Sequence, residues 1–146
     1  MERFETFTVL VAKINRNIRR IKSEEMAEFN LKSPHVSCLY YLYKAEGLTA
    51  KELSDMCDED KAAISRSILH LENSGYLVCD SQAKKRYKAP LLLTEEGRAV
   101  ASRIAEKVDG VLDYVGGFMD QKERLEFYQT LSRISDNIQK FCEKYD

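Results

Sequence analysis

Residues 48–78 read LTAKELSDMCDEDKAAISRSILHLENSGYLV. Two helix starts lie inside this stretch. Thr49-Ala50-Lys51-Glu52 has the T-x-x-E spacing of a capping box, in which the Thr and Glu side chains each satisfy a free backbone N–H at the helix start. Leu53, Met56 and Cys57 are then expected to point inward from a short helix. Asp58-Glu59 reads as a turn, and Asp60 as the N-cap of a second helix. That helix is predicted from Lys61 to Ser74, with Gly75 ending it in the left-handed conformation that glycine adopts freely. Two helices joined this tightly form a helix-turn-helix.

On a helical wheel, Ile64, Ile68 and Leu71 share one face, which is the core side. Ala62, Arg66, His70 and Asn73 lie opposite, flanked by Ala63, Ser65 and Leu69. Small side chains let a helix backbone press into a DNA major groove. Alanine methyls can meet thymine methyls, and an arginine can hold guanine O6 and N7 bidentately, worth about 1–3 kcal/mol of discrimination. Ser65 and Ser67 are candidates for phosphate or base-edge contacts. His70 lies two turns in and is a candidate for a phosphate rather than a base. A generic solvated helix is richer in Lys and Glu, whereas residues 62–71 contain neither.

Upstream, Ser33 is a candidate N-cap with Pro34 at the first helical position, where a missing N–H costs nothing. The helix through HVSCLYYLYKAE then stops near Gly47, with Val36, Leu39 and Tyr43 on one face. Residues 3–29 form a longer element. Phe4, Phe7, Val11, Ile14, Ile18 and Ile21 recur in steps of three and four and the stripe breaks at Glu25. Lys13, Arg16, Arg19, Arg20 and Lys22 surround it, either as a solvated face or as partners for acidic groups or phosphate.

Downstream, YLVCDS and RYKAPLLL are strand candidates joined by a polar turn. Pro90 cannot donate to a ladder, so it marks an edge or a segment start. Thr94 is the next cap, with Glu95 and Glu96 suiting the positive end of the helix dipole. Val100, Ile104, Val108, Leu112 and Val115 mark the buried face expected of this helix, and Gly116-Gly117 breaks it. A last helix, 121–145, carries Phe127, Leu131, Ile134, Ile138, Phe141 and Tyr145 in steps of three and four. One core need not use every stripe. Burying the terminal helices between two copies of the chain is the economical arrangement, and it gives an isologous two-fold dimer.

The chain has 146 residues, 44% hydrophobic and 32% charged, with a formal net charge of −1. This suits one domain with helical extensions. The charge is unevenly spread. Residues 61–88 hold six basic residues against two acidic, about +4, which leaves about −5 elsewhere. No stretch approaches the roughly 18 consecutive apolar residues of a membrane-spanning helix. The start carries its basic residues after a short apolar run and has no small-residue cleavage site, so no secretory signal is expected. The four cysteines are scattered with no C-x-x-C pair. A disulfide framework, a zinc site or another metal centre is not expected, no cofactor is implied, and the cytoplasm is the expected location.

Taken with KKRYKAPLLLTEEGR at 84–98, the opening stretch resembles the MarR family of bacterial and archaeal transcriptional regulators. The resemblance runs the whole chain, and 48–98 is its specific part. It implies a mainly α fold with a small β-hairpin wing (α+β): a winged helix-turn-helix lobe at 31–98, with dimerisation helices at 1–30 and 99–146. It implies a recognition helix in the major groove and a wing in the adjacent minor groove. Carried onto this chain, DNA contact falls to Ala62, Ala63, Ser65, Arg66, Ser67 and His70, and on the wing to Lys84, Lys85, Arg86 and Lys88. Arg86 matches the wing arginine, which suits a narrow, electronegative minor groove. Many members carry an aspartate two residues before it; here that position is Lys84, which suggests a more purely electrostatic wing.

The resemblance also implies a homodimer on a pseudo-palindromic double-stranded operator, in most members a repressor. Some members release DNA on binding small aromatic effectors, in a pocket between dimer helices and DNA-binding lobe. Phe29, His35, Tyr40, Tyr41 and Tyr43 are the candidate linings here, or else ordinary core aromatics. Redox-sensing members commonly place a cysteine in the first helix, which here has none. Cys38 is expected to be buried and inert. Cys57 precedes Asp58-Glu59-Asp60, which would raise its pKa, whereas a sensing thiol needs a lowered one. A redox-responsive regulator and a winged helix that binds protein rather than DNA are the alternatives. No phosphate loop, H-E-x-x-H or convincing nucleophile set is present, so an enzyme is not expected.

Overall fold

Several helices of the central lobe begin where a side chain takes over a free N–H of the first turn. The structure, a computed structural model, describes residues 4–79 and 88–146. Its helices are α1 (Phe4–Glu25), α2 (Ser33–Lys44), α3 (Ala50–Cys57), α4 (Lys61–Asn73), α5 (Glu95–Gly116) and α6 (Gln121–Cys142). Short 3-10 turns cover Ala27–Phe29 and Glu143–Tyr145. The two strands, β1 (Leu77–Cys79) and β2 (Leu91–Leu93), pair antiparallel with Leu77 opposite Leu93 and Cys79 opposite Leu91.

The caps follow the sequence closely. Thr49 Oγ1 accepts from Glu52 N at 3.2 Å and Glu52 Oε2 accepts from Thr49 N at 2.8 Å, closing the capping box. Asp60 Oδ1 accepts from Ala63 N at 2.7 Å. Thr94 Oγ1 accepts from Gly97 N at 2.9 Å and donates to the Gly75 carbonyl at 2.7 Å, tying the start of α5 to the end of α4. Gly75 has φ +80°, as its place after α4 requires. The expected cap at Ser33 is corrected by one position. Lys32 holds the extended cap conformation, and His35 Nδ1 accepts its N–H at 3.3 Å.

The chain divides into two compact units, Met1–Lys107 and Val108–Asp146, with the division inside α5. In the first, α2, α3 and α4 pack on one another and the strands lie against α2 and α4. Its core is Leu39, Leu42, Leu53, Ile64, Leu71, Leu77, Leu91 and Ile104, all buried. Leu91 N also donates to the Leu48 carbonyl at 2.9 Å, so β2 continues its pairing into the approach to α3. The start of α5 is fastened by Arg98 to Glu46 at 2.8 Å, Arg103 to Glu28 at 2.6 Å and Lys107 to Glu28 at 2.7 Å. Met56 is exposed rather than inward, because the eight-residue α3 presents only Leu53 fully to the core.

The expected buried face of α5 is corrected in its second half. Ile104 is buried with Ala101 and Ala105, and Val100 and Val108 are half-buried, but Leu112 and Val115 are exposed. No residue of α6 is buried; Leu125, Phe127, Tyr128, Leu131, Ile138 and Phe141 all face solvent. Along α1, Val11, Ile14 and Ile18 are likewise exposed. No helix among the described residues is long and apolar enough to cross a membrane.

Candidate nucleic-acid interface

The turn between α3 and α4 decides where α4 points. Asp58 takes the left-handed conformation at φ +51°, and Ser54 Oγ donates to the Glu59 carbonyl at 2.5 Å. Asp60 then caps α4. Ile64, Ile68 and Leu71 drive one side of α4 into the core. The other side is left to solvent: Ala62, Ser65, Arg66, Leu69 and His70 are exposed, and Ala63 is half-buried. This face carries no acidic residue from Lys61 to Leu71. Arg66 forms no ion pair among the described residues, so its guanidinium is available to an external acceptor.

Two of the expected contacts change character. Ser67 is only 3% exposed. It is three residues after Ile64 and four before Leu71, so it shares their face and cannot reach DNA as expected. His70 is exposed, but its ring stacks on His35 of α2, with centroids 4.0 Å apart and planes 8° from parallel. This pair joins α2 to α4, and sequence separation hides it. Burial, then the neighbouring His70 and Lys32, hold the His35 pKa below the ordinary histidine value.

The helical wheel places Leu69 on the flank of this exposed face without giving it a role. Leu69 is 53% exposed in the midst of the polar residues. An apolar side chain on a polar surface of this kind suits contact with a thymine methyl, and its wheel position beside Ser65 and Arg66 marks it.

On the wing, Lys84, Lys85 and Arg86 fall outside the described residues. Lys88 is exposed on the approach to β2. Pro90 directly precedes β2, where its missing N–H costs no ladder bond.

The five aromatic effector candidates are not gathered into one site. Phe29 lies under the Arg103 guanidinium at 5.0 Å, Tyr40 meets Tyr41 edge-on at 5.5 Å, and Tyr43 Oη donates to Ser102 Oγ at 3.5 Å. His35 lines a cleft with Asn30, Lys32, Arg66 and His70, and none of the other four aromatics lines it. Tyr40 and Tyr41 are adjacent on α2 and so turned by about 100° from one another, and Phe29 lies outside that helix. No group of three or more metal-ligating side chains occurs among the described residues.

Residues 35–112 match the family model described as a winged helix DNA-binding domain. An uncharacterized HTH-type transcriptional regulator of Bacillus cereus is 22% identical over 122 residues, covering 83% of this chain and 81% of that protein. A MarR family regulator from Neisseria meningitidis superposes with a TM-score of 0.83 at 20% identity, covering 97% of this chain and 99% of the other. S. aureus MepR in its complex with DNA superposes with a TM-score of 0.77 at 15% identity, covering 90% of this chain and 97% of the other. The family model spans more than half of the sequence, and the superpositions extend the likeness to nearly all of it. The chain belongs to the winged helix DNA-binding domain family, and its fold is that of the MarR regulators.

Proposed function

We propose that this protein is a sequence-specific double-stranded DNA-binding transcriptional regulator that acts as a homodimer on a pseudo-palindromic operator and represses by occupying it. The observation that carries this reading is the exposed face of α4. It is small, free of acidic residues and furnished with Arg66, which forms no ion pair among the described residues. Ala62, Ser65 and Arg66 are the base-reading candidates, with Ala63 and Leu69 supplying apolar contact. Lys84, Lys85, Arg86 and Lys88 supply phosphate or minor-groove contact. Ser67 supports the helix from inside, and His70 braces it through His35.

The exposed apolar residues of α1 and α6 support the dimer. A stripe containing Ile14 and Ile18, and another containing Leu131, Ile138 and Phe141, are costly to leave in water and suit burial against a second copy. The S. aureus protein of the same fold binds DNA, which supports the same role here. The scatter of Phe29, His35, Tyr40, Tyr41 and Tyr43 lends no support to an aromatic effector site built from those five.

Sedimentation of the purified chain with a labelled genomic duplex pool tests the reading. A dimer whose DNA affinity drops steeply with salt is expected, because phosphate neutralisation releases counterions. A monomer, or a chain that ignores duplex at low salt, would contradict it and favour a protein-binding winged helix.

A further inference from the structure

A cleft of about 700 Å³ lies between the start of α2 and the exposed face of α4. That volume falls in the range that seats a small ligand, enough for one sugar–phosphate unit. Lys32 and His35 line it from the α2 side, and Arg66 and His70 from α4. No carboxylate lines it among the described residues; the end of α1 and the 3-10 turn after it contribute the uncharged Ser23, Ala27 and Asn30. Lys32 and Arg66 form no ion pair among the described residues. Such a lining suits an anion. His35 is prepared for one. Its Nδ1 accepts the Lys32 N–H at 3.3 Å, so the neutral ring carries its proton on Nε2, which donates to nothing among the described residues. Stacking on His70, with centroids 4.0 Å apart, holds the ring against α4. The surroundings within the chain disfavour a charged ring: burial first, then His70 and Lys32, keep the His35 pKa below its ordinary value.

We propose that this cleft seats a phosphodiester of the DNA backbone beside the bases that α4 faces, and that binding there is coupled to uptake of a proton by His35. The proposal rests on the DNA-binding reading. Arg66 and His70 belong both to the cleft and to the exposed face of α4. A groove that receives this face therefore brings one of its flanking strands to Lys32 and His35. Lys32 Nζ supplies charge, and the His35 Nε2–H supplies a directed bond. Such a contact fixes the position of the duplex and carries no sequence information, so Arg66 keeps its base-reading role. An anion beside His35 favours the charged ring, against the burial and the positive neighbours that disfavour it. The complex then holds the proton more firmly than the free chain does. By reciprocity the proton strengthens duplex binding by the same factor, so affinity rises as the pH falls. The stability of the free chain moves the other way over the same range, which separates the two effects.

The test measures binding of the full chain to a labelled genomic duplex pool at about pH 8 and about pH 6, either side of the ordinary histidine value, over a salt series. The unsubstituted chain is expected to bind at least about fivefold more tightly at the lower pH, the low end of coupling between linked sites. His35→Asn keeps an acceptor near the Nδ1 position for the Lys32 N–H and removes the titrating ring. It should bind more weakly and lose most of the pH difference. His35→Gln keeps a donor near the Nε2 position, so it should recover affinity at the higher pH yet stay flat with pH. Lys32→Ala, at an exposed position, should weaken all duplexes alike and reduce the salt slope by about 1. Inorganic phosphate at matched ionic strength should not displace the duplex; displacement would give the cleft to a free anion and overturn the backbone assignment. A pH difference that persists in His35→Asn overturns the proton coupling. Unchanged affinity and salt slope in Lys32→Ala and in both His35 variants overturn the seat itself. Those outcomes leave the DNA-binding reading standing, whereas an unsubstituted chain that binds no duplex at either pH overturns that reading and this proposal with it.

Discussion

The imidazole rings of His35 and His70 lie parallel, 4.0 Å apart between centroids, and join the first turn of α2 to the exposed face of α4. Burial disfavours the charged form of His35, and His70 and Lys32 add to the effect. The sign follows from linkage. Between the lowered folded pKa and the ordinary histidine value of about 6.5, the unfolded chain binds a proton that the folded chain resists. The contribution is therefore present above about pH 6.5 and is lost as the pH falls through the folded value. Urea midpoints measured from about pH 7.5 to about pH 5.5 should fall, and should fall less in His70→Gln, where a neighbouring charge is removed. An equal drop in both proteins would contradict this account of the pair.

Gly97 is fixed by closeness of backbone. A Cβ built there would lie 1.9 Å from the Tyr76 carbonyl oxygen, whereas one on Gly110 meets nothing within 4 Å. Gly97→Ala is expected to destabilise by about 1–3 kcal/mol or more, as overpacking does. Gly110→Ala, inside the same helix, should stabilise by about 0.5–1 kcal/mol. Chemical denaturation of both variants checks the contrast, which fails if the two midpoints move together.

The Asp60 carboxylate takes the Ala63 N–H at the start of α4. Asp60→Ala should cost about 0.5–2 kcal/mol, and Asp60→Ser or Asp60→Asn much less. The same ranking should appear in DNA affinity, because the cap sets the end of the helix proposed to enter the groove. Stability and affinity ranked in opposite orders would separate the cap from recognition.

The exposed stripe of α1 is expected to be an interface between copies. Ile14→Glu with Ile18→Glu should leave the lobe folded by circular dichroism and shift the sedimenting species to monomer. A dimer that survives both charges would place the interface on other residues.

What sequence could see was local. Thr49, Asp60 and Thr94 cap helices through bonds spanning three residues, so their roles are readable from spacing. The Ile64, Ile68 and Leu71 face was equally legible as a periodic pattern. The Ser67 hydroxyl suggests a DNA contact, but its wheel position, beside Ile64 and Leu71, turns it inward. The apolar stripe of α5 runs on past Ile104, but packing within the chain stops covering it, so Leu112 and Val115 stay exposed. The His35–His70 stack joins residues from separate helices. Nothing in the linear order sets that distance.

On the proposed function, the exposed face of α4 reads base sequence. Selection of bound duplexes from a random pool, run with the unsubstituted chain and with Arg66→Ala, tests it most directly. The account predicts a recovered pseudo-palindrome with half-sites about one helical turn apart, roughly 10–10.5 bp. Arg66→Ala should relax one position in each half-site, at a cost of about 1–3 kcal/mol. Lys84→Ala should instead weaken all sequences alike. A pool with no enriched motif, or a motif unchanged by Arg66→Ala, would contradict it.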